Sequence, residues 1–561
     1  MSALLFVGVT VGAAVGALLL RPFRRIALAV ALLGLLVALG IAVEMVEGTG
    51  IAVGDAALVV TPYARLVLVL ATAMAIVAVV LAQVDDEPPG HAPATLAVIG
   101  GLGGALLVDE PLVGLLLVLA AGIAAILVVE SGERPSIVAV AAAMRSLRAV
   151  VVAGGLTIVA AAWLARPLGA LALEPAVFGV AYLAMVGAVA VRAAIVPFHL
   201  WLVRLADAAP PATLPVFAVW IPATLAVVVL GWVDRTIAPV LVPLETERAV
   251  VVVVGLACLA LGSLAALLAD DVVHLAVYAT VAEAGLAMLG LTVLEPEVWQ
   301  PFRSWLVAFA VAQTALFGWV AALKAHARSR QVAELGRVLA SSRLLRFALA
   351  LVALAAIGLP GWPIWEARAR IVDLALGSGV APLGLVAAFL PFAAFARLAL
   401  VGMVSSEAGW RGRSRSVDRG RAAPGSAAGG ADRWLGTGGW LLGAGVGARV
   451  SGRVGAGVGA RVGAGVGARA RWAAGFRSGR FGFGGVGPWL WDGVRSGRFE
   501  RAVAGGWRRN RTRVAAIGAV ALAGLAVATS VGWLGVDAAA AGGPPSLEQT
   551  ELLGGGLEGA P

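Results

Sequence analysis

Apolar runs of roughly twenty residues, separated by short polar connections, recur along most of this chain. Such a run is long enough to cross a bilayer as a helix. The pattern predicts about fourteen spanning helices, near residues 3–20, 26–44, 65–84, 94–108, 112–130, 149–165, 175–197, 212–233, 249–269, 272–294, 303–323, 345–360, 380–402 and 514–535. The fourth and fifth are short and rich in glycine. The opening MSALLFVGVT lacks a basic stretch ahead of its apolar run, so it is expected to be a first helix and not a cleaved leader. The predicted fold is an all-α integral membrane protein.

The places where this pattern fails carry the chemistry. A charge at membrane depth costs at least a few kcal/mol, so each should be paired, hydrated or functional. In Pro175–Pro211, about sixteen apolar or small residues lead to Arg192, followed by Pro197, Phe198, His199 and Trp201. In HLAVYATVAEAG, His274 to Gly285, Glu283 lies within the tenth helix. Gln313 and Thr314 fall inside the eleventh. In GLPGWPIWEARAR, Gly358 to Arg370, Pro360 and Pro363 break a helix just before Glu366 and Arg368. Each has a plainer reading: Arg192 snorkels to the interface, Glu283 makes a structural hydrogen bond, His199 and His274 sit near loops, and Glu366 pairs Arg370 one turn on. The two Pro-broken segments share one design, an apolar run, a break, aromatics and an arginine, with Arg192 and Arg368 176 residues apart. About five helices separate them, and an odd number inverts the second unit, as in transporters with discontinuous helices around midplane sites.

Composition agrees: 61% of the 561 residues are hydrophobic and only 13% charged, which excludes an ordinary soluble domain. One cysteine, Cys258, leaves no disulfide framework, and the four histidines do not share a metal-binding spacing. Neither a phosphate loop nor a dinucleotide fingerprint is present. The formal charge of +10 is unevenly spread, with about twenty of the 42 Lys and Arg residues in or at the edge of residues 405–512. There the octapeptide VGAGVGAR at Val454–Arg461 repeats at Val462–Arg469. Such a Gly/Ala/Arg segment reads first as a solvated cytoplasmic loop, then as an anionic-lipid contact, and last as a nucleic-acid site. The expected domains are therefore 1–404 in the membrane, 405–512 as low-complexity loop, 513–536 as a final helix and 537–561 as a disordered tail.

The loops alternate in charge. Arg21, Arg24 and Arg25, then Arg134, Arg145 and Arg148, then Arg204, then Lys324, Arg328, Arg330, Arg337, Arg343 and Arg346 fall on one side. Glu47 and Asp55, Asp109 and Glu110, Asp234, Glu245 and Glu247, and Glu295 and Glu297 fall on the other. The positive-inside bias expects the basic loops in the cytoplasm and both termini outside. The acidic run Asp85 to Glu87 lies on the inner side, where acids count little.

At three places the chain resembles the proton-conducting, antiporter-like membrane subunits of respiratory complex I and of Mrp-type cation/proton antiporters. RAAIVPFHLWLVRLADAAPPA, Arg192 to Ala212, is similar to that family's K-S-A-Q-x-P-F-H-x-W-L-P-x-A-x-x-A-P-T-P. DVVHLAVYATVAEAG resembles D-L-K-R-L-L-A-Y-S-S-I-x-x-x-G, and GLPGWPIWEARAR resembles G-x-P-x-x-G-F-x-x-K. The resemblance covers roughly residues 1–405 and the last helix. It implies fourteen helices, two inverted five-helix repeats, broken seventh and twelfth helices, and a charged axis. Arg192 then matches the family's central lysine and Arg368 its distal lysine. An arginine stays charged where a desolvated lysine can release its proton, so these positions suit an electrostatic role and not proton carriage. The resemblance also marks losses: the fifth helix has no acid before Glu130, the eighth-helix histidine falls at about Ala218, and the eleventh-helix histidine and lysine fall at Gln313 and near Phe317 or Gly318.

The function expected is a membrane subunit of an ion-translocating complex of complex I or Mrp type, moving protons or sodium ions. Its candidate translocation residues are Arg192, Pro197, His199, Glu283, Gln313, Pro360 and Arg368. The alternative is a degenerate subunit that scaffolds its neighbours without conducting. The same family also serves bicarbonate- and formate-linked complexes. Expected partners are other membrane subunits and the lipid bilayer, without nucleic acid. Expected cofactors are none, since no residue set suits a flavin, haem or iron–sulfur cluster. The expected location is the cell membrane.

Overall fold

The computed structural model describes residues 1–54, 56–84, 91–130, 137–164, 175–237, 243–327, 330–401 and 498–541. The run Asp85 to Glu87, Asp55, Arg134, Arg328, most of the 405–512 loop and most of the tail lie outside them. The chain divides into two units, Met1–Arg413 with Asn510–Pro561, and Ser414–Arg509.

Each predicted apolar segment falls on a helix. The helices are α1 (Ser2–Leu19), α2 (Arg24–Glu44), α3 (Pro62–Val84), α4 (His91–Leu107), α5 (Pro111–Glu130), α6 (Ile137–Leu164), α7 (Pro175–Arg192), α8 (Leu200–Ala208), α9 (Ile221–Thr236), α10 (Glu245–Leu268), α11 (Val272–Leu291), α12 (Trp299–Ala327), α13 (Leu335–Ser341), α14 (Arg343–Ile357), α15 (Pro363–Leu376), α16 (Ala381–Phe389), α17 (Arg498–Ser530) and α18 (Val536–Ala540). Ten spans among the described residues are long and apolar enough to cross a membrane, and three shorter apolar helices accompany them. The protein is a multi-pass membrane protein.

Four features differ from the sequence expectation. A two-stranded antiparallel hairpin, β1 (Gly50–Val53) with β2 (Ala56–Val59), occupies the first acidic loop. Its two-residue connection is a hairpin signal, and Gly54 there has φ +65°. Secondly, α6 starts at Ile137, so Arg145 and Arg148 are helical and not in a loop. The Ala-rich AVAAAMRSLRAV propagates a helix well beyond the purely apolar stretch. Thirdly, α7 stops at Arg192 instead of continuing to residue 197, and the chain resumes as the short helix α8 at Leu200. Fourthly, the residues after the second break form α15, with Pro363 at its first turn, where the missing N–H costs nothing.

The core is layered around α12. Every residue in the most apolar window of Pro296–Ala327 is buried, whereas α1 and α2 bury about a third of theirs and present broad apolar faces outward. That inversion of the soluble pattern is what a lipid-facing periphery requires. Small residues let α10 and α11 approach closely: a Cβ added at Gly262 would meet the Ala282 backbone at 2.8 Å. Asp271 caps α11, accepting from the Val273 N–H at 2.7 Å, so the start of that helix is fixed as well as its face.

Candidate functional site

Two helix–break–helix units and one continuous helix, α11, define the site. In the first unit, α7 ends at Arg192, and Ala193 to His199 run irregularly to α8. Ala194 takes φ 54°, rare for a residue with a side chain, and the Val196–Pro197 bond is cis. Pro197 itself is exposed. Arg192 is 1% exposed, and its guanidinium carbon sits 5.2 Å from the centre of the Trp201 ring. Trp201 is held there by its Nε1–H, which donates to the Val191 carbonyl at 2.9 Å. The snorkelling reading of Arg192 fails, because packing from α5, α6 and α8 encloses the side chain.

In the second unit, α14 ends at Ile357, Gly358 takes φ +69°, and α15 starts at Pro363. Pro360 lies exposed in the turn, whose Gly361 N–H donates to Glu366 Oε1 at 3.3 Å. Glu366 therefore serves the break, and Arg370 pairs instead with Asp373 at 3.2 Å. Arg368, also 1% exposed, donates to the Ile357 carbonyl at 3.0 Å and the Ala356 carbonyl at 3.1 Å. Those carbonyls belong to the last turn of α14, which lacks helical partners. Its Nη2 also lies 3.4 Å from both carboxylate oxygens of Glu283, and its carbon sits 4.7 Å from the Phe392 ring centre. Glu283 is 4% exposed, and Arg368 is the partner that sequence spacing could not name.

Helix α11 joins the two units. At one end His274 Nε2 lies 2.8 Å from Asp207 of α8, and the Tyr278 ring lies 6.2 Å from that of His199. Nine residues further on, about 13.5 Å along the axis, Glu283 meets Arg368. Between them Thr280 donates to Gln313 of α12 at 3.1 Å, while the next residue of α12, Thr314, accepts from Trp220 at 3.0 Å. Trp220 closes a π-helical turn, Val216–Trp220, just before Pro222. Pro222 cannot donate into the helical ladder and would clash with the carbonyl four residues back, which accounts for the widened turn.

Three features escaped the sequence reading. Arg303, in the first turns of α12, is 3% exposed and stacks 4.2 Å from the Tyr63 ring centre, lining a pocket with Thr61, Asp109 and Arg235. An arginine between Trp299 and Trp305 was a usable signal. Gly122 of α5 stands beside Arg192, since a Cβ there would lie 3.6 Å from Arg192 Nη2. The Trp220–Thr314 link joins residues 94 apart in the chain.

The family described as "NADH:quinone oxidoreductase/Mrp antiporter, TM" matches residues 112–389. Among solved structures, the chain is similar to one in respiratory complex I from Thermus thermophilus with bound aureothin, at 19% identity and TM-score 0.57, covering 71% of this chain and 90% of that one. It is similar to one in the Mrp complex from Dietzia sp. DQ12-45-1b, at 20% identity and TM-score 0.56, covering 70% and 79%. A third likeness is to the membrane-bound sulfane sulfur reductase, an archaeal respiratory membrane complex, at 15% identity and TM-score 0.59, covering 71% and 86%. No curated protein sequence matches. The matched span holds both breaks, all of α11 and the Glu283–Arg368 pair, and on it the chain belongs to the family of antiporter-like membrane subunits found in complex I and Mrp antiporters.

Proposed function

We propose that the chain is a membrane subunit of an ion-translocating complex of complex I or Mrp type, conducting protons or sodium ions or coupling their movement. The observation that carries this reading is α11, one helix that touches both broken helices through ionisable or aromatic groups. A cation arriving near Glu283 competes with Arg368 for the carboxylate. The freed guanidinium then pulls on the α14 carbonyls it had capped, and α11 carries the shift toward His274 and Asp207. In this scheme Glu283 is the group that exchanges partners, Gln313 and Thr280 orient it through α12, and Pro197, Pro360, His199 and both arginines shape the breaks. Arg192 and Arg368 supply fixed charge and do not carry protons.

Partners in this reading are other membrane subunits, set against the outward apolar faces of α1, α2, α5 and α6, with lipid covering the rest. The protein sits in the cell membrane, with the basic loops in the cytoplasm and both termini outside. Proton and sodium flux through vesicles holding the assembled complex tests the proposal. Glu283→Gln is expected to reduce flux at least tenfold, and unchanged flux would sink the assignment.

One observation favours a second reading, a scaffold that conducts nothing. Both terminal nitrogens of Arg368 are already engaged within the chain, Nη1 by Ile357 and Nη2 by Ala356 and Glu283, and among the described residues Arg192 has no carboxylate partner to exchange. Wild-type complex that shows no flux attributable to this subunit, with assembly lost on its deletion, would establish that alternative.

A further inference from the structure

Four polar positions on α11 fall at different depths. His274 and Tyr278 are partly exposed, whereas Thr280 and Glu283 are buried. The helix therefore carries its polar groups from a wet end to a dry one. At the wet end, His274 Nε2 lies 2.8 Å from Asp207 Oδ1, and the two side chains are 29% and 31% exposed. This pair joins the start of α11 to α8, the second half of the first break. One helical turn further along α11, the ring centres of Tyr278 and His199 stand 6.2 Å apart. The neighbouring acids at this end face arginines: Asp271 stands 2.9 Å from Arg330 Nε, and Asp270 stands 3.5 Å from Arg397 Nη2. Asp207 Oδ2 is 3.8 Å from Arg204 Nη1. An ion pair as exposed as His274 and Asp207 is worth only about 0–1 kcal/mol, so holding α8 to α11 is a small part of what it does.

We infer that His274 and Asp207 form the proton-loading site through which the basic-loop side of the chain supplies protons to the groups along α11. This inference rests on the transport reading above and names its ion as the proton. An ionised carboxylate only accepts hydrogen bonds, so it holds the ring with Nε2 as the N–H donor and leaves Nδ1 to take up the proton. On loading, a buffer acid or hydronium ion gives up its proton and an N–H bond forms at Nδ1. The pair then passes from one net negative charge to neutral, and release from the same nitrogen reverses the step. Imidazole suits this task because its charge changes near neutral pH. Sodium does not suit the same place. Asp207 Oδ1 is engaged by His274 and Oδ2 faces the Arg204 guanidinium, so an arriving metal ion meets a fixed positive charge. A proton needs no oxygen ligands and enters through the ring. Position gives the pair its role: it stands at the mouth of the titratable groups on α11, with Tyr278 and His199 next and Glu283 deepest.

The test uses the assembled complex on a supported membrane, with transport read as electrical current in weakly buffered medium. His274→Gln retains a donor for Asp207 but cannot titrate, and it is expected to lower the proton current about tenfold. A membrane-impermeant buffer that titrates near neutrality, added on the basic-loop side, should restore most of that current by delivering protons in place of the ring. Asp207→Asn keeps the imidazole but removes the carboxylate that orients it, so a smaller loss with the same rescue is expected. Neither variant should alter any sodium current. Proton current that is lost but not restored by buffer, or lost together with an equal share of sodium current, would mean that the pair only ties α8 to α11. Current unchanged in His274→Gln overturns this assignment and leaves the transport reading standing, whereas a wild-type complex with no proton current overturns both.

Discussion

The two broken helices present the same residue type at the same depth of burial, and they treat it differently. Arg368 is clamped: two α14 carbonyls, the Glu283 carboxylate and the face of Phe392 surround it. Arg192 is held by one aromatic face and, among the described residues, meets no carboxylate. The difference originates on the neighbouring helices. α11 offers Glu283 where Arg368 arrives, while α5 offers Gly122 where Arg192 arrives. A buried arginine is thus a strap when its partners are built in and a source of field when they are not. Opposite responses to mutation would separate the two roles.

The largest effect is expected at the strap. Arg368→Ala leaves Glu283 buried without a partner and uncaps α14, a combination worth about 3–5 kcal/mol. Thermal unfolding of the purified chain should show the midpoint falling sharply, and a second substitution, Glu283→Gln, should recover part of that loss. Full independence of the two changes would show that the 3.4 Å contact carries no coupling.

Next comes the packing that aims Glu283. Gly262→Val drives a branched side chain into the Ala282 backbone, one residue from the carboxylate. Overpacking of this kind costs about 1–3 kcal/mol. It should also weaken the Glu283–Arg368 coupling in the same double-mutant measurement. Stability lost with coupling retained would show that the acid is held by Arg368 alone.

The breaks themselves were legible in the sequence because proline and arginine interrupt apolar runs in only a few places, and physics gives them few explanations. Their partners were not. Glu283 and Arg368 are 85 residues apart, and nothing in local spacing selects that pair. The second halves of both breaks, α8 and α15, escaped for a different reason: Arg204 and Asp207, or Glu366 and Arg370, pull a short amphipathic helix below the hydropathy of a spanning segment. The hairpin was hidden because its strands, GIAV and AALV, are apolar runs of only four residues each, far below the length of about twenty that marks a span. Gly122 was invisible as a site residue because a glycine in an apolar helix signals nothing until the side chain facing it is known.

Arg192→Leu gives the sharpest contrast with Arg368→Ala, since its sign is expected to be reversed. The substitution removes a buried charge that no carboxylate among the described residues compensates and replaces it with an apolar side chain beside Gly122 and Val150. The chain should be unchanged or more stable by about 1–2 kcal/mol, as when buried charges give way to apolar residues of similar volume. A loss comparable to that of Arg368→Ala would mean that Arg192 is also a strap and would erase the distinction between the two breaks.

The smallest expected effect lies between them, on α12. Thr314→Val keeps the volume of the side chain and leaves the Trp220 Nε1–H without its acceptor, deep in the core at the end of the π-helical turn. One lost hydrogen bond with a stranded donor costs about 1–3 kcal/mol, at the lower end where the turn can relax. Because α12 packs directly on α14 and α15 and on α11, which in turn contacts α7 and α8, the informative measurement is the coupling of Thr314→Val to each arginine change. Coupling to Arg192→Leu alone would tie the π turn to the first break, and coupling to Arg368→Ala alone would tie it to the second. If α11 and α12 form one polar axis, the two couplings should be of similar size, since Thr280–Gln313 and Trp220–Thr314 place neighbouring α12 residues on the two helices that flank the site.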